Sequence, residues 1–312
     1  MRQLMKWLVV TLGVSIGLIA GTVEGNDVRV FTADNRDGKI TPSSIEYAFK
    51  EAGFVIAANN NMNAPFMRDF NQTSFDVYNL MVVFRKDTAL ALAEHYPTVG
   101  LFTPLSLSIY TKKGEKSISV ASIVPAAAAT MMGIPEENEH IVALGKKIEE
   151  ALRTAMPKGA FVTLPYTMKA PVGKLVTQIS YEQKGDDWEE SKDDMQMLFE
   201  GSLAPSGFVM AGFSDLNYDF EEHDQEWYHF YDVYSICKIA VIYEIAKTHP
   251  EAGAFAPCSA YMYQKTGEKT VHMAFPSVYK WIAALGIKEQ ASIDVLLEAQ
   301  RGFESILEKM KQ

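Results

Sequence analysis

Cys237 and Cys258 are the chain's only cysteines, and they are the first residues from which chemistry could be built. A disulfide between them would close a loop of roughly 20 residues, worth about 3 kcal/mol in the chain-entropy picture. Two buried free thiols, or a redox or metal-binding pair, are the alternatives, and no C-x-x-C spacing singles out redox work. A second cluster is the stretch DFEEHDQEWYHF (219–230), which packs His223 and His229 among five acids. Imidazole nitrogen and carboxylate oxygen suit zinc or copper, so these two histidines with one carboxylate could hold such an ion. Their spacing matches no standard metal motif, and an acidic run of this kind also reads as a solvated loop. A third candidate is EWYHFYDVY (226–234), which alternates as a strand would. One set of that alternation is Tyr228, Phe230, Asp232 and Tyr234, apolar walls around one carboxylate, the composition of a ligand groove. The competing reading is a strand buried on both faces.

Other chemistries lack their signatures. The chain contains no G-x-S-x-G, P-loop, G-x-G-x-x-G or H-E-x-x-H, and Ser259, beside Cys258, has no evident base partner. Which cofactor, if any, the chain uses is unknown from its sequence. The net charge of −10, with no local basic patch, argues against nucleic acid as a partner. The fifteen methionines read as flexible core filler rather than a copper relay.

The elements that must position these residues come as a duplication. At an offset of 153, PTVGLFTPLSLSIYTKKGEK (97–116) lies over PEAGAFAPCSAYMYQKTGEK (250–269), with ten identities in twenty positions. GFVIA (53–57) matches GFVMA (207–211), Tyr78 meets Tyr231, and MGI (132–134) meets LGI (285–287). A repeat this long means two similar globular units rather than a solenoid. In the first, VRVFTAD alternates as a strand. Thr41 and Pro42 open a helix, and Asp87 is placed to cap another over TALALAEHY. A hairpin turns at Gly114, and a closing helix carries Ile141, Leu144, Ile148 and Leu152 at helical spacing. The second repeats this order, with its hairpin at Gly267 and a closing helix carrying Ile293, Leu296, Leu297, Phe303, Ile306 and Met310. Tight hairpins and helices together predict an α+β fold of two repeated domains, each a mainly antiparallel sheet with helices on one face. The domains span 26–156 and 174–312, joined by the Pro- and Gly-containing linker 157–173. Two such units can act as an intramolecular dimer about a pseudo-twofold axis.

The helix ending in GF, the P..G.F.PC segment and the hairpin with GEK together resemble the bacterial and archaeal family called domain of unknown function 302. The second unit is the closer likeness: Cys237 stands at a strand-to-helix junction, and APCSAYMY has the Pro-Cys pair that often opens a strand there. Phe84 and Leu105 replace both cysteines in the first unit. The resemblance implies compact α+β domains that bind or process something unidentified, and it supplies no catalytic residues. That both cysteine positions turn apolar together in the first unit suggests that the two sites touch.

At the N-terminus, Arg2 and Lys6 precede an apolar run from Trp7 to Val23, with a cleavage point after VEG at residue 25. Residues 1–25 therefore read as a signal peptide rather than a retained anchor, and the expected location is periplasmic or secreted. A bridge between the two cysteines would be oxidised there. The expectation for function is non-catalytic binding of a small or apolar ligand, or of a partner, by the second unit. The alternatives are a thiol-redox or metal-handling protein using Cys237 and Cys258, and an unrecognised hydrolase or lyase.

Overall fold

A computed structural model describes residues 26–311; the leader read at 1–25 lies outside the described residues. The first unit runs β1 (Val28–Asp34), α1 (Pro42–Glu51), β2 (Val55–Asn61), α2 (Asn63–Phe70), β3 (Phe75–Phe84) and α3 (Lys86–Ala93). A 3-10 turn (Pro97–Leu101), β4 (Leu105–Lys112), β5 (Ser117–Ile123), α4 (Pro125–Met132) and α5 (Glu139–Ala155) complete it. A short strand β6 (Ala160–Val162) follows. The second unit runs β7 (Val176–Glu182), α6 (Trp188–Leu203), β8 (Val209–Asp215), α7 (Leu216–Glu221), β9 (Tyr228–Cys237) and α8 (Ile239–Ala246). A 3-10 turn (Pro250–Ala254), β10 (Cys258–Lys265), β11 (Thr270–Pro276), α9 (Val278–Ala284) and α10 (Gln290–Met310) end the chain.

The two sheets share one strand order. The first reads β2-β3-β4-β5-β1-β6 and the second β8-β9-β10-β11-β7, so each strand has a counterpart apart from β6. All neighbours are antiparallel. β6 comes from the segment read as a linker and pairs along β1 through Val30, Phe31 and Thr32. The hairpins turn at Gly114 and Gly267, whose φ values of 81° and 80° fall in the left-handed region that glycine enters without steric cost.

Local signals account for most element ends. Thr41 caps α1, its hydroxyl accepting from the Ser44 amide while the Ser44 hydroxyl accepts from the Thr41 amide. Asp187 caps α6 by accepting from the amides of Glu189 and Glu190. Asp87, expected to cap α3, instead lies within its first turn; the helix starts earlier and Arg85 holds the cap position without a side-chain bond. The apolar stripes of α5 and α10 face the sheets. Ile141, Ile148, Leu152, Leu296, Phe303, Ile306 and Met310 are buried, while Leu144, Ile293 and Leu297 pack at the edge of the core.

Each sheet is covered by its own helices on one face and by the other unit on the second. In the second unit Tyr234 packs edge-on against Phe199 of α6, and Phe275 against Phe303 of α10, with centroids 4.9 and 4.2 Å apart. On the opposite face Tyr231 reaches the first unit, where its hydroxyl donates to the Pro97 carbonyl and accepts from the Gly100 amide at 2.9 Å. The contacts come in pairs related by the repeat offset. Tyr78 donates to the Pro250 carbonyl at 3.0 Å, the counterpart of Tyr231 to Pro97. Ser106 donates to the Pro257 carbonyl at 2.7 Å and Ser259 to the Pro104 carbonyl at 2.9 Å. Reciprocal contacts of this kind are those of an isologous interface, here between two halves of one chain. Gly100 and Gly253 sit at its closest approaches. A Cβ on Gly100 would lie 2.8 Å from the Tyr231 hydroxyl, and one on Gly253 would lie 2.5 Å from Ser108 Cβ. Among the described residues, no helix is long and apolar enough to cross a membrane.

Candidate functional site

Strand β9 holds most of the residues singled out from the sequence, and its local geometry separates them. Phe230 lies opposite Gln264, but the next pair is Tyr228 with Lys265, so His229 is the extra residue of a bulge. A bulge inserts one residue and resets which face follows. Tyr228 therefore turns to the same face as Tyr231, their rings 5.0 Å apart, and its hydroxyl donates to the Ala93 carbonyl of the first unit. Phe230, Asp232 and Tyr234 keep the other face, under α6. The four residues expected along one groove wall are thus split across the sheet. All four are buried, and the strand is covered on both sides.

Under α6 the strand carries a buried polar cluster. Asp232 is fully buried. Its Oδ2 accepts from Gln196 Nε2 at 2.9 Å and lies 3.3 Å from Lys192 Nζ. Its Oδ1 has no hydrogen-bond partner. Asp215 stands directly opposite on β8. Burial, together with the Asp215 charge, raises the Asp232 carboxyl to about 6, and the Lys192 ammonium opposes the rise. Lys192 also lies 5.3 Å from the Phe230 ring centre, a cation–π distance. Burial and then the Asp232 charge raise the Tyr234 phenol above its usual value. The repeat counterpart of Asp232 is Asn79, a neutral group that donates to Asn59 Oδ1 at 2.9 Å.

The cysteines do not form the expected disulfide. Both are free thiols. Cys258 lies opposite Ile236, which leaves Cys237 one residue out of register. Adjacent side chains on a strand point to opposite faces. Cys258 accordingly faces the helical layer, where its thiol donates to the Phe255 carbonyl at 3.2 Å, and Cys237 faces the first unit. Burial pushes both thiols up to about 12. A thiol so raised is unreactive at neutral pH. Iodoacetamide at pH 7.5 is therefore expected to leave both cysteines unmodified in the native protein and to label both after denaturation, read by intact mass. Fast native labelling of either, or a mass two hydrogens short, would contradict this.

Cys258 does line a chamber of about 50 Å³ between the second sheet and helices α8, α9 and α10. Phe208, Ile236, Phe275, Trp281 and Phe303 form most of its wall, with Cys237 at its edge. The side chain of Lys238 also borders it, held by Glu298 Oε1 at 2.8 Å and lying 5.7 Å from the Phe208 ring centre. In the first unit Leu105 occupies the position of Cys258.

The histidines are held apart by separate partners. The His223 ring contacts the Asp219 carbonyl through Nδ1 at 2.9 Å. His229 stacks on Trp188 with centroids 5.0 Å apart, and its Nε2 accepts from the Gly267 amide at 3.3 Å. Among the described residues no group of three or more His, Cys, Asp or Glu side chains is placed to hold a metal ion.

The structure gathers one further cluster that the sequence reading did not assemble. Glu251, nearly fully buried where the units meet, accepts from the Tyr166 hydroxyl at 2.7 Å and lies 3.3 Å from His249 Nδ1. His249 Nε2 is 3.5 Å from Glu289 Oε2. Burial pulls the His249 pKa down, but Glu251 and Glu289 outweigh it, and the imidazole is raised above its usual value. The available signal was HPEAG over YPTVG in the repeat alignment: a histidine and a glutamate inside an otherwise closely matching segment. Its partner Tyr166 comes from the linker, which no motif connects to that segment.

Residues 36–155 match the family model described as Domain of unknown function DUF302. The matched segment lies in the first unit, whereas the motif likeness was read as closer in the second. Among solved structures, similarity is found to the crystal structure of an uncharacterised conserved protein DUF302 from Bacillus stearothermophilus. The identity is 19%, covering 40% of this chain and 97% of that one, with a TM-score of 0.36. No curated protein matches the chain.

Proposed function

We propose that the second unit is a non-catalytic binding module for a small, largely apolar ligand, taken up in the chamber beside Cys258, in a protein exported from the cell. The observation that carries this reading is a small, partly open space walled mainly by aromatic and aliphatic side chains. Cavities of that character stay dry and accept apolar guests. At about 50 Å³ the space suits a guest of xenon size or the buried end of a longer molecule. Lys238 offers the way in, because its flexible stem and its ion pair with the exposed Glu298 can move aside at small cost. The first unit would then be structural, its Leu105 standing where Cys258 opens the space.

The high thiol pKa values and the opposite facing of the two cysteines count against thiol-redox work. His223 and His229 are each held by a separate partner, which favours the binding reading over a metal-handling role.

Xenon tests the binding reading. Crystals pressurised with xenon, or ¹²⁹Xe NMR in solution, are expected to show one atom between Cys258, Trp281 and Phe303. Ala299 borders the same space, and Ala299→Leu should exclude it. A chamber that takes no xenon in the unaltered protein, or xenon bound equally well in Ala299→Leu, would sink the proposal.

A further inference from the structure

Where the two halves meet, one pair of places related by the repeat is not alike. On one side Lys86, at the start of α3, spans from the first unit to α7 of the second. Its Nζ lies 2.5 Å from Asp219 Oδ1 and 3.3 Å from Glu222 Oε2. The matching place on the other side lies between α2 and α8. Asn63 and Phe66 of α2 align with Asn217 and Phe220 of α7, and both phenylalanines are buried. That alignment puts Pro65 where Asp219 stands and Arg68 where Glu222 stands. Arg85 aligns with Lys238, which puts Ile239 where Lys86 stands. All three members of the bridge are replaced, and an isoleucine cannot remake it.

In place of the bridge there is a partly open crevice of about 310 Å³, at the low end of the range for small-molecule sites. Its walls take Met62 and Leu80 from the first unit and Val209, Ile239 and Pro257 from the second. Among the described residues that line it, Arg68 carries the one charge. The guanidinium is paired with the adjacent Asp69, Nε to Oδ1 at 2.6 Å and Nη2 to Oδ2 at 2.8 Å. Five N–H groups are available to it, so the Nη1 edge remains for a second acceptor. The pair is also exposed, and such pairs hold weakly. We infer that the crevice binds a small apolar monocarboxylate, its body against Leu80, Val209 and Ile239 and its carboxylate at Arg68. The guest supplies the opposite charge that the protein itself supplies to Lys86 on the other side. A guanidinium edge matches a carboxylate through two parallel bonds, whereas an ammonium head would meet like charge. The crevice is a different space from the chamber beside Cys258, with Cys237 bordering both.

Octanoate, octanol and octylammonium share one body and differ in the charge of the head, which makes them the probes. NMR titration of the full chain gives their affinities. It also locates them, through the methyl resonances of Leu80, Val209 and Ile239 in the crevice against those of Val241 and Leu296 in the chamber. Octanoate is expected to bind about tenfold tighter than octanol and to shift the crevice methyls, with octylammonium the weakest of the three. Arg68→Gln should bring octanoate down to the level of octanol, an about tenfold loss, the effect of one charge-assisted hydrogen bond. Arg68 is exposed, so that substitution leaves the packing untouched. Arg68→Glu combined with Ile239→Lys rebuilds the bridge of the other side and should abolish binding of all three. No octanoate binding to the unaltered chain, equal affinity for octanoate and octanol, or an octanoate affinity unchanged in Arg68→Gln would each overturn the assignment. Octanoate that shifts Val241 and Leu296 instead of the crevice methyls would overturn it too, while leaving the chamber reading standing.

Discussion

Gly253→Ala is expected to lower the unfolding free energy by about 3 kcal/mol, the upper part of the range for overpacking a close-packed interior. The added methyl would lie 2.5 Å from Ser108 Cβ and 2.6 Å from Leu80 Cδ2, both in the first unit. Neither neighbour can yield easily. Ser108 and Leu80 are buried on paired central strands, so relief requires the two units to separate. Gly201→Ala provides the contrast within the same chain. Gly201 lies inside α6 with nothing within 4 Å of an added Cβ, and alanine there should stabilise by up to about 1 kcal/mol through helix propensity. Urea titrations followed by circular dichroism measure both. Equal, small changes in the two variants would mean that the units do not pack as closely as the geometry requires.

Asp232→Asn is expected to stabilise the protein at pH 7 by about 2 kcal/mol. Burial raises the Asp232 carboxyl from 3.8 to about 6 on folding. Between those values the folded chain holds the proton more tightly than the unfolded chain, so stability falls as pH rises through that window, by on the order of 3 kcal/mol. Asparagine removes the fall, while Lys192 losing its partner takes back part of the gain. The substitution has a precedent inside the molecule, because Asn79 occupies the equivalent place and is hydrogen-bonded there. The measurement is the urea midpoint at pH 4 through 8. The unaltered chain should lose stability from pH 4 to 6 relative to Asp232→Asn, with the two curves meeting near pH 4. A variant that is weaker at pH 7, or curves that stay parallel, would show that Lys192 and Gln196 compensate the buried charge fully. A buried carboxylate where the first unit carries Asn79 is one place where the two halves diverge in chemistry.

The architecture was legible because duplication amplifies weak signals. TKKGEK and KTGEK fixed the hairpins, and the apolar stripes of α5 and α10 fixed the inward faces of the closing helices. The candidate site was less legible, and the reasons are local. Period-two reading of β9 fails at His229, where one bulged residue moves Tyr228 to the other face. The correlated change of Phe84 and Leu105 to cysteine suggested contact, but being one residue out of register on adjacent strands turns two side chains apart. Glu251 and Tyr166 meet across 85 residues because the linker folds back along the interface.

The reciprocal contacts between the halves also bear on the order in which the protein forms. The bonds of Tyr78, Ser106, Tyr231 and Ser259 join residues 131 to 172 positions apart. Within each unit the β4–β5 and β10–β11 hairpins close loops of a few residues. Closing a long loop costs more entropy, and topologies rich in such contacts form slowly. Each half therefore has a more local route to its sheet than to the interface, and docking is expected to be the late step. Until it is complete, Tyr78 and Tyr231 are held by nothing from the opposite half, and the faces that later meet are open to water or to a second nascent chain.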